Sequence, residues 1–402
     1  MSPFSISWKS LRANSLTSLL NVLLIAFGIG ILAVLLLASS QISSKVHDNA
    51  RGIDLVVGAK GSPMQLILSS VFYIDYPTGN ISLQEADSLA RHPLVKRAVP
   101  LALGDNIAGA RIVGTDSSFI NLYNLQLAQG NFWQHDFEVT VGATVAQEQH
   151  LQPGDILYGA HGLSEGAALH EEHPYRVAGI LKPKGNATDH LVLTGINSIW
   201  RMHGQEEEHD YEHGEEEEHH AAEKEITALL IQYKSPGAMV LFPRLVNKST
   251  NMQAASPAHE SARLFSLIGV GIDTLQWFAL FIMLMAAISV FISLYNSLKE
   301  RKYDLAVMRI MGASKSKLFQ IVLLEGVLLA LAGSLLGLLL GHATLQLINS
   351  YQESAHTRLS GLYFMPQELY LLAAGCCVGM VAAALPAIQA YQSDISKILS
   401  KS

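Results

Sequence analysis

Five histidines, His203, His209, His213, His219 and His220, stand in one short stretch of this 402-residue chain. Between His203 and Glu225 lie eleven Asp or Glu residues and a single base, Lys224. Neutral imidazole and carboxylate oxygen together suit Zn²⁺ and other divalent ions. His209 and His213 are four apart, so a helical turn would bring them to one face, and a flexible loop could gather them without one. The same composition also describes a solvated acidic loop in the absence of metal, and the two readings are compatible. His135, His161, His170, His173 and His190 could supplement such a site, or be ordinary surface or core residues. His170-Glu-Glu-His173 has i, i+3 spacing rather than HExxH, which argues against a metalloprotease.

A second concentration is basic: Lys299, Arg301, Lys302, Arg309, Lys315 and Lys317. Leu305, Met308, Ile310, Met311 and Leu318 are interleaved with them. A basic loop that only fixes membrane topology would look like this, and so would a short amphipathic helix at a membrane boundary. Glu325 and Asp273 lie in or beside apolar runs, where an acid raises the question of an ion path. Coupling or helix packing is the simpler role for Glu325, and Asp273 can reach water. Gly333, Gly337 and Gly341 repeat every four residues, a seam along which two helix backbones can approach closely.

The composition excludes several classes. The only cysteines are the adjacent Cys376 and Cys377, so neither a disulfide framework nor a Cys-ligated zinc site can form. No GxxxxGK[ST] occurs, so the chain carries no P-loop; Gly58-Ala-Lys-Gly61-Ser-Pro63 has the wrong spacing. No nucleophile or catalytic dyad stands out. The net charge of −7 is local, because without the 203–225 stretch 23 acids face 26 bases. That balance argues against nucleic-acid binding.

These residues need elements to hold them. Half of the residues are hydrophobic and 15% charged, against about 25% charged in an average soluble domain. Four stretches, near 19–38, 275–294, 318–340 and 369–388, have the roughly 20 apolar residues that a membrane helix needs. The first is too long for the h-region of a cleaved leader, about 7–15 residues, and is expected to be retained. Lys9 and Arg12, the six bases of 299–317, and Lys397 and Lys401 contrast with Arg358 alone between the third and fourth helices. Both termini and the 295–317 loop are therefore expected inside, and residues 41–263 outside. An external segment of that length can build its own core. Runs at 111–114, 138–142, 175–181 and 226–233 read as strands. Ser82 with Glu85 reads as a capping box opening a helix to Arg91. The expected fold is an α-helical membrane protein with four transmembrane helices and a large α+β, mostly antiparallel domain between helices one and two. Met64 to Phe72 reads as an apolar patch for a membrane surface or second subunit, or as part of a turn-rich connection.

The order of these parts resembles the permease subunits of MacB/FtsX/Lol-type ABC transporters over nearly the whole chain. Glu300-Arg-Lys-Tyr-Asp-Leu-Ala-Val-Met-Arg-Ile-Met-Gly-Ala-Ser314, running into Leu323-Leu-Glu-Gly326, is similar to that family's segment between helices two and three. Val95 to Pro100, Val113-Gly-Thr-Asp116, Val141 to Ala146, Pro153-Gly-Asp155 and Val177 to Leu181 resemble its periplasmic core, and Pro386 to Leu399 its C-terminal end. Asp54 to Pro63 and Tyr73 to Asn80 depart from the common exporters, and the His-rich stretch at about 201–225 is an insertion.

The resemblance implies three domains: residues 1–40 with the first helix, a periplasmic core at 41–263, and an FtsX-like region at 264–402. It implies a multi-pass inner-membrane, non-catalytic subunit that works as a homodimer with a separate ABC ATPase. In that setting Arg301, Lys302, Leu305, Met308, Arg309, Met311 and Gly312 would form the ATPase-coupling helix. ATP-driven motion would pass through it to the periplasmic domain, a mechanotransmission. Three outcomes are expected to be distinguishable: transport linked to zinc or another divalent metal, with a periplasmic binding protein; export or extraction of a lipid, lipoprotein or peptide; and transmembrane signalling to a periplasmic enzyme.

Overall fold

The computed structural model describes residues 2–107, 109–159, 173–202, 224–351 and 359–392. The described residues form two compact units, one taking residues up to Ile42 and from Leu267 onward, the other Ser43–Ser266. The sequence places these divisions at 40/41 and 263/264.

The chain opens with a short helix, α1 (Pro3–Ala13), that hydropathy does not single out. Ser2 caps it and Pro3 fills its first turn, where a missing N–H costs nothing. The first long helix, α2 (Ser15–Asn49), follows.

The sheet unit then runs through β1 (Leu55–Ala59), α3 (Pro63–Ser70), β2 (Ile81–Ser82), α4 (Leu83–Ala90), β3 (Val95–Ile107), β4 (Ala110–Thr115) and α5 (Ser117–Tyr123). After these come β5 (Leu127–Gly130), β6 (Glu138–Val141), α6 (Ala143–Glu148), β7 (Ile156–Leu157), β8 (Tyr175–Leu181) and β9 (Leu191–Gly195). Helical residues 196–202 (α7), β10 (Glu225–Ile226), β11 (Ala228–Tyr233), α8 (Ala238–Ser249) and β12 (Met252–Ala255) complete it. Ten strands join in the order β12-β1-β11-β3-β4-β9-β6-β8-β5, with β7 beside β8, while β10 and β2 pair separately. Among the described strands, β4 with β9 and β6 with β8 run parallel and the other pairs antiparallel. The mixed, mostly antiparallel α+β fold agrees with the sequence reading.

Alternation along the strands covers both faces. Val56 and Leu230 enter one apolar cluster with Leu66, Phe72 and Phe119. Their neighbours Leu55, Val57, Leu229 and Ile231 enter another with Phe242 and Val246. This is the two-residue period of a strand, read here by helices on either side. It also corrects one expectation. Val71, Phe72 and Tyr73 are buried in the core, as are Leu66 and Ile67 of α3, so most of the 64–72 patch is neither a membrane surface nor a loose connection. The helix expected from Ser82 forms as α4, but Ser82 makes no side-chain capping bond to it. The run expected at 226–233 is two strands divided at Thr227.

The helical unit is completed by α9 (Pro257–Glu300), α10 (Lys302–Ile310), α11 (Lys315–Tyr351) and α12 (Glu368–Gln392). Helices α2, α9, α11 and α12 are each long and apolar enough to cross a membrane. Each contains one expected apolar stretch and overruns it. At 1.5 Å per residue, the 44 residues of α9 span about 66 Å, roughly twice a bilayer's hydrocarbon core. Ile25, Ile29 and Ala33 of α2 meet Met283, Ala286 and Val290 of α9, Leu329 and Ala330 of α11, and Ala383 of α12 in one cluster.

Candidate functional site

The basic segment folds as a helix closed by hydrogen bonds at its C-terminal end, whereas Arg301, before its first turn, makes no side-chain capping bond. α10 has Asp304 in its first turn and Arg309 in its last, each charge suiting its end of the helix dipole. It stops at Met-Gly-Ala-Ser for local reasons. Gly312 adopts φ +96°, a left-handed conformation that costs other residues strain. Its N–H and that of Ala313 return to the carbonyls of Arg309 and Met308, both at 3.0 Å. Ser314 then starts α11, its Oγ accepting from the Lys317 N–H at 3.3 Å. Gly312 is therefore the residue that lets the chain turn from α10 into α11.

The apolar residues of α10 divide into two sets. Leu305 is buried with Leu318 and Val322 of α11 and Ala387 and Ala390 of α12, and Met308 packs against them. These anchor α10 to α11 and α12. Tyr303, Ile310 and Met311 face outward, Met311 80% exposed, with Lys302, Lys315 and Lys317 exposed beside them. The free apolar face is thus Tyr303, Ile310 and Met311, flanked by bases, rather than the whole expected set.

Arg301 differs most from its expected place on a docking face. It occupies the single residue between α9 and α10, and its guanidinium turns into the bundle. Nη1 donates to Ser10 Oγ, and Nη2 donates to the Ser10 carbonyl at 3.1 Å. Nη1 also lies 3.5 Å from Oε1 of Glu325, which is only 5% exposed. A cleft of ≈ 390 Å³ adjoins this group, lined by Ile6, Leu294, Leu298, Met308 and Val322 among others. Nε and Nη1 of Arg309 are shielded from water and have no hydrogen-bond partner among the described residues.

The glycine repeat lies against α2. A Cβ on Gly333 would fall 2.7 Å from Ile25 Cβ, and one on Gly341 2.9 Å from Ala33 Cβ. Hydropathy misses two polar ties in this unit. Ser289 bonds Asn21 at 2.7 Å. His342 Nε2 meets Glu368 Oε2 at 2.8 Å, while its Nδ1 meets the Gly361 carbonyl at 2.7 Å. An ionisable residue inside a membrane helix was the available signal for the second.

His203, His209, His213, His219 and His220 lie outside the described residues, as do His161 and His170. The two flanks of the insertion meet: Trp200 Nε1 donates to the Glu225 carbonyl at 2.6 Å, and Lys224 Nζ sits 4.8 Å from the Trp200 ring centre. His173 stacks on Phe137, and His190 ends a 3-10 turn. No group of three metal-ligating side chains occurs among the described residues.

Two carboxylates of the sheet unit have displaced pKa values for structural reasons. Burial pushes Asp189 up, against the backbone N–H groups of Lys184 and Gly185 that donate to it. The Gln134 and His135 N–H groups hold Glu138 down. Both carboxylates order turns.

Four helices long and apolar enough to cross a membrane, with a sheet domain inserted after the first and a short helix with an exposed apolar end between the second and third, have the architecture of a multi-pass membrane protein. The chain belongs to the MacB/FtsX family of ABC-transporter permeases: residues 18–239 match the MacB-like periplasmic core domain and residues 277–395 the FtsX-like permease C-terminal region. It is 21% identical to the macrolide export ATP-binding/permease protein MacB of Photorhabdus laumondii, over 98% of this chain and 60% of that protein. It is 22% identical to the pyoverdine export ATP-binding/permease protein PvdT of Pseudomonas fluorescens, over 83% of this chain and 50% of that protein. The chain thus spans about half to three-fifths of these curated relatives, whose names include an ATP-binding part. Among solved structures, the periplasmic region of MacB from Actinobacillus actinomycetemcomitans is similar at 10% identity and a TM-score of 0.35, over 55% of this chain and 97% of that one. The extracellular domain of the Gram-positive ABC-type transporter YknZ is similar at 13% identity and a TM-score of 0.32, over 51% of this chain and 99% of that one.

Proposed function

We propose that this chain is the inner-membrane subunit of a MacB/FtsX-type transporter, driven by an ATPase carried on a separate chain. The observation that carries this reading is the divided face of α10. Leu305 packs on Leu318 of α11 and locks the helix to the bundle, while Tyr303, Ile310 and Met311 stay free among Lys302, Lys315 and Lys317. A rigidly mounted helix with an exposed apolar end suits insertion into a groove on a partner. The two relatives named as exporters support outward work on a cargo by the external sheet domain. Two copies of the chain, each with its ATPase, would make the working unit.

The test is co-purification. The full chain should bring down an ATP-hydrolysing subunit from its host membrane and raise that subunit's turnover. Ile310→Asp with Met311→Asp should abolish retention of the ATPase while the permease keeps its thermal midpoint. Unchanged retention and unchanged turnover in this double variant would sink the reading.

A second reading concerns the insertion. The Trp200–Glu225 contact closes the ends of a stretch holding five His and many carboxylates, a donor set suited to Zn²⁺. We propose that this stretch binds divalent metal on the outer side and links the transport work to it.

A further inference from the structure

We propose that Arg301, Glu325 and Ser10 form a positioning clamp that makes the α9–α10 corner move as one body with α1 and α11. This rests on the coupling reading above and adds the residues that would make coupling efficient. The corner is one residue wide: α9 ends at Glu300 and α10 begins at Lys302. Arg301, at φ −101° and ψ 13°, departs from helical geometry, so the joint can bend. A push on the exposed end of α10 reaches α11 and α12 through the Leu305 packing, but it reaches α9 and α1 in step with them only if that joint is stiff.

The clamp supplies the stiffness from two helices, α1 and α11. Ser10 offers its hydroxyl and its carbonyl. That carbonyl lies in the last turn of α1, where helix acceptors run short of partners. Ser10 also ties to the adjacent turn, since the Asn14 N–H returns to its carbonyl at 3.3 Å. Glu325 supplies the opposite charge from α11. Ser7 adds a parallel tie, its Oγ donating to the Ile321 carbonyl one turn before Glu325 at 3.0 Å. α1 is thus bonded to both the corner and α11.

Packing alone does not hold the guanidinium. The adjoining ≈ 390 Å³ cleft leaves it room to swing away, so its direction is set by these polar partners. A planar, five-donor head can serve Ser10 and Glu325 together, which an ammonium cannot do in the same geometry. The predicted consequence separates two properties. Docking belongs to Tyr303, Ile310 and Met311, whereas transmission belongs to the clamp.

The experiment uses the full chain co-purified with its ATPase in lipid nanodiscs, with ATP as substrate. Retention of the ATPase, the permease's thermal midpoint and stimulated turnover are read together. Glu325→Gln and Arg301→Lys should keep retention and lose stimulation by at least about fivefold, the scale of a typical coupling free energy. Ser10→Ala, which keeps the carbonyl, should lose less. Should Glu325→Gln fail to fold, Glu325→Asp keeps the charge, retracts it by one methylene and carries the same expectation. Wild-type stimulation in both Arg301→Lys and the Glu325 variant overturns the clamp. So does parallel loss of retention and stimulation, which marks a merely structural pair. If Ile310→Asp with Met311→Asp also leaves both readouts unchanged, the coupling reading itself has failed. If that double variant abolishes retention while the clamp variants behave as wild type, only the clamp has.

Discussion

A histidine ring binds a divalent ion only when neutral, so the metal role proposed for His203, His209, His213, His219 and His220 carries a pH signature. An unperturbed imidazole titrates near pH 6.5, and at pH 5.5 only about one ring in ten is neutral. Each coordinating His should then weaken Zn²⁺ binding roughly tenfold between pH 7.5 and pH 5.5. Calorimetric titration of the full chain in detergent with Zn²⁺ should show binding at pH 7.5 that fades by pH 5.5. Deletion of residues 203–220 should remove it. Equal binding by the intact and deleted chains would end the insertion's metal role. At this scale, residue type was informative and direction was not. Arg301 reads as one more base of a docking segment, yet it turns inward to Ser10 and Glu325. Composition registers that a base is present, but the direction of its side chain depends on the carbonyl and carboxylate that tertiary packing brings near. Ser10 carries no sequence signal of this kind, because serine is ordinary in a short helix.

The four-residue glycine repeat belongs to the scale of elements. Two membrane helices gain nothing hydrophobic from meeting in lipid, so close backbone approach has to supply the attraction. A Cβ on Gly337 would fall 2.7 Å from the Ala26 carbonyl oxygen and 2.9 Å from Ile29 Cβ. The first obstacle is backbone and cannot rotate away. Gly337→Ala should therefore lower stability by about 1–3 kcal/mol, the usual cost of overpacking, although alanine favours helix by about 1 kcal/mol. Gly269 in α9 has nothing within 4 Å of its added Cβ, so Gly269→Ala should leave the midpoint unchanged or raise it. Thermal unfolding in detergent reads both, and identical behaviour of the two variants would refute the seam. The four-residue spacing is legible in the sequence because helical periodicity is local information. Strand β1 shows the converse. Leu55-Val-Val is buried on both faces, so it lacks the alternation that marks a half-exposed strand, and the flanking Gly58 and Gly61 suggested turns. Its partners, β11 and β12, lie well over 150 residues away in sequence, and no local pattern announces such pairing.

For the molecule as a whole, the arrangement of charge predicts the orientation in the membrane. The bases at 9–12, 299–317 and 397–401 oppose a single Arg358 between the last two helices. Cytoplasmic loops retain Lys and Arg, so α10 should face the cytoplasm and the sheet domain the opposite side. The −7 net charge misleads if taken globally, since its source is the insertion alone. An ATPase in the cytoplasm and a cargo outside both require this orientation. Thiol labelling tests it on a background with Cys376 and Cys377 replaced by Ala. Met311→Cys, at the exposed end of α10, should react with a membrane-impermeant maleimide only in inverted vesicles. Lys60→Cys, on the exposed surface of the sheet domain, should react in spheroplasts without inversion. Labelling of Met311→Cys in intact spheroplasts would put the free face of α10 on the wrong side for an ATP-driven partner, and the coupling function would fall with it.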